Sequence, residues 1–307
     1  KALALSEQCL VLMDENAEPP RRVWCVYEAH LALHSGIPYS MALADNIDQT
    51  AWATVRRALK QLDVASCSAS NLEDKIKILE AIDVNVVNKA VQAASVKAAD
   101  AAEVMSVAAR GDTDCLDAFA RSGRNLQVFD ARGRTPMHMA AEHGQAEMIR
   151  VLAGYVRSEG GHFDHYTVDG RSPAHFAAAN GHAACVPVLL ECCSKDWLWK
   201  PTKGGDSPLH LAAACGHCSV AGALLERRPA APVVHSEGFH TIDGPSLLSA
   251  LDTDGRSPIH PACAHGHVEM LRLLLGRRVD VESPTLSADY PLHIAAQRRQ
   301  PVIVTEL

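Results

Sequence analysis

The stretch Ser207-Pro208-Leu209-His210-Leu211-Ala212-Ala213-Ala214-Cys215-Gly216-His217 decides how most of this chain folds. Serine is a good helix N-cap, because its oxygen accepts a bond from an orphan N–H of the first turn. Proline suits the first helical position, where a missing N–H costs nothing. The small apolar run lets a neighbouring helix come close. Glycine supplies the positive φ that ends the helix. The histidine is expected to bond the capping hydroxyl and nearby backbone, tying one unit to the next.

The same pattern returns as Thr135-Pro136-Met137-His138, Ser172-Pro173-Ala174-His175 and Ser257-Pro258-Ile259-His260, with a degraded copy at Tyr290-Pro291-Leu292-His293. The motif histidines are spaced by 37, 35, 50 and 33 residues. The wide gap is one period of 33 plus an insertion of 17, which should fall between a second helix and the next motif. Repetition at such a period means stacked units that share a core only with their neighbours. Leu or Val at helical spacing, as in Met148, Val151, Leu152 and Met270, Leu273, Leu274, marks the second helix of a unit as core.

This residue set resembles the ankyrin repeat, over roughly the last two-thirds of the chain. The resemblance implies a mostly α solenoid of about six repeats, at 100–130, 131–165, 166–200, 201–250, 251–285 and 286–307. The first lacks its Thr-Pro-x-His, as terminal repeats often do. Turn residues between repeats are supplied by Asp130–Gly133, Val168–Gly170, Lys203–Asp206 and Asp252–Gly255.

Upstream, Gln8–Met13 and Pro38–Ala44 read as buried strands, with helical periodicity over Val23–Leu33, Thr50–Gln61 and Asn71–Ala81. The order suggests half of a parallel α/β sheet. Val23-Trp24-Cys25-Val26-Tyr27-Glu28, after an apolar strand and an acidic loop, is similar to a segment of the Toll/interleukin-receptor domain. That resemblance covers about residues 5–45 and lacks the upstream strand and nucleotide-contacting loop of the family. It implies Glu28 as the catalytic carboxylate of an NAD-cleaving enzyme; the alternative is a solvated or helix-capping carboxylate. The expected domains are therefore a partial α/β segment at 1–82, a linker helix at 83–100 and the repeats at 101–307. Because the chain starts at a lysine inside a helical run, it is expected to be a fragment or a processed product.

Composition narrows the function. The net charge is −7, and no dense basic run offers a nucleic-acid groove. No apolar stretch is long enough for a membrane span. The ten cysteines lack a framework and read as free, mostly buried thiols of a reducing, cytoplasmic compartment. Cys215-Gly-His-Cys218 has metal-type spacing but straddles the repeat's own Gly-His turn. No Ser/His/Asp set, paired carboxylates or Gly-rich phosphate loop appears, so no metal or cofactor is expected.

The leading expectation is a non-catalytic scaffold that holds a protein on the solenoid's concave face. Residues just before each turn glycine should line it: Glu142, His143, Asn180, Cys215, His265 and Arg298. Turn tips add Arg132, Arg171, Asp206 and Arg256. Trp197 and Trp199 either anchor a partner or fold back over the flank. The 227–250 insertion is a second expected contact. The alternatives are a Toll/interleukin-receptor-like enzyme regulated by the repeats, and a structural subunit of a large assembly.

Overall fold

The structure is a computed structural model and describes residues 9–13, 29, 32, 39–43, 63–66, 72–130, 132–158, 165–193, 200–226 and 247–307. Glu28, the Thr50–Gln61 stretch, Trp197, Trp199 and all of the insertion before Leu247 lie outside the described residues. The chain divides into two compact units, 1–106 with 128–131 and 107–127 with 132–307.

In the first unit, β1 (Cys9–Met13) and β2 (Tyr39–Leu43) pair in parallel, Cys9 opposite Tyr39 and Met13 opposite Leu43. Helix α1 (Leu72–Ala81) follows, and then α2 (Val84–Arg110) begins. The Asp83 carboxylate caps α2, accepting from the Asn85 and Val86 N–H groups at 3.0 and 3.2 Å. The helix expected at 83–100 is present and does not stop at residue 100. It and the expected first-repeat helix Glu103–Arg110 are one helix of 27 residues. Nothing between Val84 and Arg110 can stop it: the span holds no glycine or proline, and it ends at Gly111, where φ is 74°.

The second unit is a row of helix pairs. Helix α3 (Thr113–Arg121) comes first; the pairs are α4 (Pro136–Glu142) with α5 (Ala146–Ser158), and α6 (Pro173–Asn180) with α7 (Cys185–Cys192). Then come α8 (Pro208–Cys215) with α9 (Cys218–Glu226), α10 (Ile259–His265) with α11 (Val268–Gly276), and α12 (Pro291–Gln297) with α13 (Pro301–Glu306). First helices pack in line, α4 on α6 on α8 on α10 on α12, and second helices likewise from α5 to α13. Each apolar face is closed by its neighbours in the row rather than by one shared centre. Ala140, Ala177, Ala212, Ala262 and Ala295 are fully buried where first helices meet, and Ile149, Leu189, Leu224 and Leu274 line the second helices. Leu247, at the end of the insertion, is fully buried too.

Candidate binding surface

Three chains of hydrogen bonds run along the row, and they decide which side chains remain for other work. The first uses the motif histidines. Nδ1 of His138, His175 and His210 faces the N–H of the capping Thr135, Ser172 and Ser207 at 3.1, 3.1 and 3.2 Å. Facing a donor, Nδ1 must be the unprotonated nitrogen, so Nε2 carries the proton. Nε2 donates onward to the carbonyls of Arg171, Asp206 and Arg256 in the following repeat, at 3.1, 3.0 and 2.9 Å. His260 breaks the series: its buried Nε2 faces the Ser283 backbone without closing a hydrogen bond.

The second chain runs the opposite way and was invisible in the motif reading. The residue after each turn glycine reaches back to the preceding repeat. His182, His217 and His267 meet the carbonyls of Glu142, Ala179 and Ala214 at 2.9, 3.1 and 2.9 Å, and Gln145 reaches Ala109 at 3.3 Å. The Gly-His dipeptide signalled a helix end, but the target carbonyl is far off in sequence. The third chain links hairpin tips by backbone N–H donors to carbonyls: Val168 to Arg132, Lys203 to Asp169, Thr253 to Gly204 and Leu286 to Asp254, at 2.9 to 3.0 Å.

Burial pushes the imidazole of His175 down to about 4, partly opposed by its bond to the Asp206 carbonyl. His210 and His260 are lowered for the same first reason. These are neutral structural links, unsuited to proton transfer near pH 7. His210→Ala strands the Ser207 N–H and removes one of the two donors to the Arg256 carbonyl, which keeps the Asp252 N–H. It is expected to destabilise by about 1–3 kcal/mol. Thermal melts of the full chain check this, and an unchanged midpoint would contradict the bonding scheme.

What is left forms a row. His143, Asn180, Cys215, His265 and Arg298, each at the end of a first helix, are exposed. His143 Nδ1 accepts no proton from Met139 but donates to its carbonyl at 3.0 Å, and Asn180 donates to the Phe176 carbonyl at 2.9 Å. Those bonds identify a strip that sequence reasoning missed: Met139, Phe176, Leu211, Pro261 and Ile294 are all half-buried, one helical turn before the polar row. Each follows a motif histidine, which is the signal that could have found them. Arg132 and Arg256 are exposed at the tips, Arg256 paired with Asp254 at 3.1 Å. Arg171 and Asp206 are half-buried. Glu142 is half-buried and pairs with the buried Arg134 at 3.3 Å. Among the described cysteines, Cys185, Cys193 and Cys263 are buried and Cys215 is exposed. No group of His, Cys, Asp or Glu among the described residues could hold a metal ion. No described helix is long and apolar enough to cross a membrane.

Paired helices stacked in one dimension, joined by cap-to-carbonyl histidines, define a helical repeat protein. The chain belongs to the ankyrin-repeat family: family descriptions match as "Ankyrin repeat" at 132–157, "Ankyrin repeats (3 copies)" at 155–234 and "Ankyrin repeats (many copies)" at 240–295. It is similar to "Probable E3 ubiquitin-protein ligase XBOS31" of Oryza sativa subsp. japonica, 40% identical over 52 residues. That match spans 17% of this chain and only 12% of the relative. Its architecture is similar to a chain of "Bd0816 Predatory Endopeptidase from Bdellovibrio bacteriovorus in complex with immunity protein Bd3460", with a TM-score of 0.50, 15% identity, and coverage of 66% of this chain and 97% of that one. At that identity the likeness speaks for the fold.

Ankyrin repeats imply a role in binding other proteins. The expected Toll/interleukin-receptor likeness of residues 5–45 finds no support in these comparisons, whose family matches begin at residue 132. An apolar strand followed by an acidic loop and a helix is a pattern many α/β units share. Glu28 lies outside the described residues.

Proposed function

We propose that this chain is a non-catalytic binding module that grips a protein partner along the first-helix ends and hairpin tips. The observation that carries this reading is the paired row. Half-buried Met139, Phe176, Leu211, Pro261 and Ile294 run beside exposed His143, Asn180, Cys215, His265 and Arg298. An apolar strip edged by polar groups is the anatomy of a protein interface. The tip-to-tip bonds hold successive repeats in register, so these positions recur along one side of the row. Meanwhile both ring nitrogens of the buried His138, His175 and His210 are engaged in internal bonds, which removes groups that resemble catalytic bases. The tips add charges of both signs, which suits a protein better than a polyanion.

Three exposed positions on neighbouring repeats allow a clean test: His143→Glu, Asn180→Arg and Cys215→Arg together in the full chain. The triple variant is expected to keep the native melting temperature and to lose the protein captured by the unaltered chain in a quantitative affinity comparison. Equal capture by both would overturn this location. Loss of capture together with a collapsed melt would be repeated with His265→Glu alone, where retained folding and retained capture also count against it.

A further inference from the structure

Each joint from the second repeat to the fifth carries two side-chain hydrogen bonds. A motif histidine (His138, His175 or His210) bonds forward, and a second histidine (His182, His217 or His267) bonds back. The joint between the fifth and sixth repeats has a residue at both places and closes neither bond. On the forward side, His260 Nε2 is, among the described residues, the buried side-chain nitrogen or oxygen left without a partner. The carbonyls of Arg171, Asp206 and Arg256 each take a histidine besides a backbone N–H of their own hairpin. Their counterpart, the Asp289 carbonyl, takes the Thr285 N–H at 2.9 Å and no histidine.

On the return side, Gln300 stands where His182, His217 and His267 stand in other repeats. Its side-chain amide closes no hydrogen bond among the described residues. Side-chain length is not at fault, because Gln145, at the same place in the second repeat, reaches the Ala109 carbonyl at 3.3 Å. Nor is space lacking. A Cβ on Gly266 would meet the Gln300 amide, just as one on Gly144, Gly181 or Gly216 would meet the ring of His182, His217 or His267. Three contacts remain across this joint. They are the tip bond from the Leu286 N–H to the Asp254 carbonyl at 2.9 Å, apolar packing that buries Ala295 and Ile303 completely, and the Arg272–Glu306 ion pair. Arg272 is half exposed, and such a pair adds little.

We propose that this joint is a hinge, at which the sixth repeat opens from the fifth as one unit while the second to fifth repeats stay closed. The missing bonds are between atoms of the fifth and sixth repeats only, so they lower the cost of parting these two and no others. Helices α12 and α13 pack on each other as well as on the fifth repeat, and therefore move together. On the binding reading given above, Ile294 and Arg298 ride on this unit, so one end of the row shifts while the other four positions hold.

Native-state amide exchange of the full chain without any partner, in urea below the unfolding transition, reads the hinge directly. Amides of α12 and α13 are expected to share one opening free energy and one urea slope. Their protection should lie about thirtyfold below that of α10 and α11, the yield of two hydrogen bonds. Protection that instead declines residue by residue along α12 and α13 would overturn the proposal, because it describes fraying and not the opening of a unit. Protection equal to that of α10 and α11 would overturn it too. Gln300→His places a ring beside Gly266 and should raise protection in α12 and α13 about fivefold, leaving α4 to α9 as they were. Unchanged exchange of α12 and α13 in that variant would count against the missing bond as the cause.

Discussion

Gly205→Ala is expected to lower stability by about 3 kcal/mol in urea unfolding of the full chain. Two costs add. The residue sits at φ 81°, where an L side chain costs about 1–2 kcal/mol. The new methyl would also lie 2.6 Å from the Thr253 nitrogen and 2.7 Å from the Asp252 Cα. Relief requires the fourth and fifth repeats to part at their tips. That stretches the 3.0 Å bond from Thr253 N–H to the Gly204 carbonyl. Gly123 is the control, with φ 74° and nothing within 4 Å of the added Cβ. Gly123→Ala should cost only the backbone share. Equal losses at the two sites would show that contact between repeats does not set the glycine requirement.

Acid should weaken this fold well before its carboxylates are the main concern. His175 titrates near 4 when folded, against 6.5 when unfolded, because it is buried and its Nδ1 faces an N–H donor. The unfolded chain therefore takes the proton first. Stability from this residue is fully present above about pH 6.5 and falls progressively as pH drops toward 4. The loss for His175 alone is about 3 kcal/mol. His210 and His260, lowered in the same direction, add to it. Urea midpoints measured from pH 7.5 to 4 should fall. His175→Asn, although less stable at pH 7.5, should show a flatter slope over that window by close to one proton. An unaltered slope in the variant would mean that the buried imidazole is not what senses acid here.

Both predictions concern joints between repeats, which marks where sequence reading stopped. The motif Ser207-Pro208-Leu209-His210 announced its helix start, and Gly216 its end, because capping and left-handed backbone are local matters. Six units could be counted, since the period survives even where Tyr290 stands in for serine. The role of the motif histidine could also be anticipated, because half of its bonding is to a residue three places away. The other half could not. The Arg256 carbonyl that receives His210 lies 46 residues on, across the insertion. That the helix expected at 83–100 runs on to Arg110 could not be read, because an alanine- and valine-rich helix carries no internal mark of where it should stop.

On the candidate surface, the exposed row from His143 to Arg298 was legible from its place beside the turn glycines. The adjoining strip of Met139, Phe176, Leu211, Pro261 and Ile294 was not, because apolar residues in a helix look like core until the packing shows one face left uncovered. The pairing of Glu142 with the buried Arg134 could not be read either, because the two stand eight residues apart and meet only through the fold.

Sequence alone determined the unit: its caps, its period, its two helices and the membership of residues 132–295 in a repeating family. These rest on interactions within a few residues, which a linear text records. Tertiary structure alone decided how units are joined and why a Cβ at Gly144 or Gly205 would meet the next repeat. Those constraints come from atoms of the neighbouring repeat, roughly 30 or more residues away, which no local stretch of sequence records.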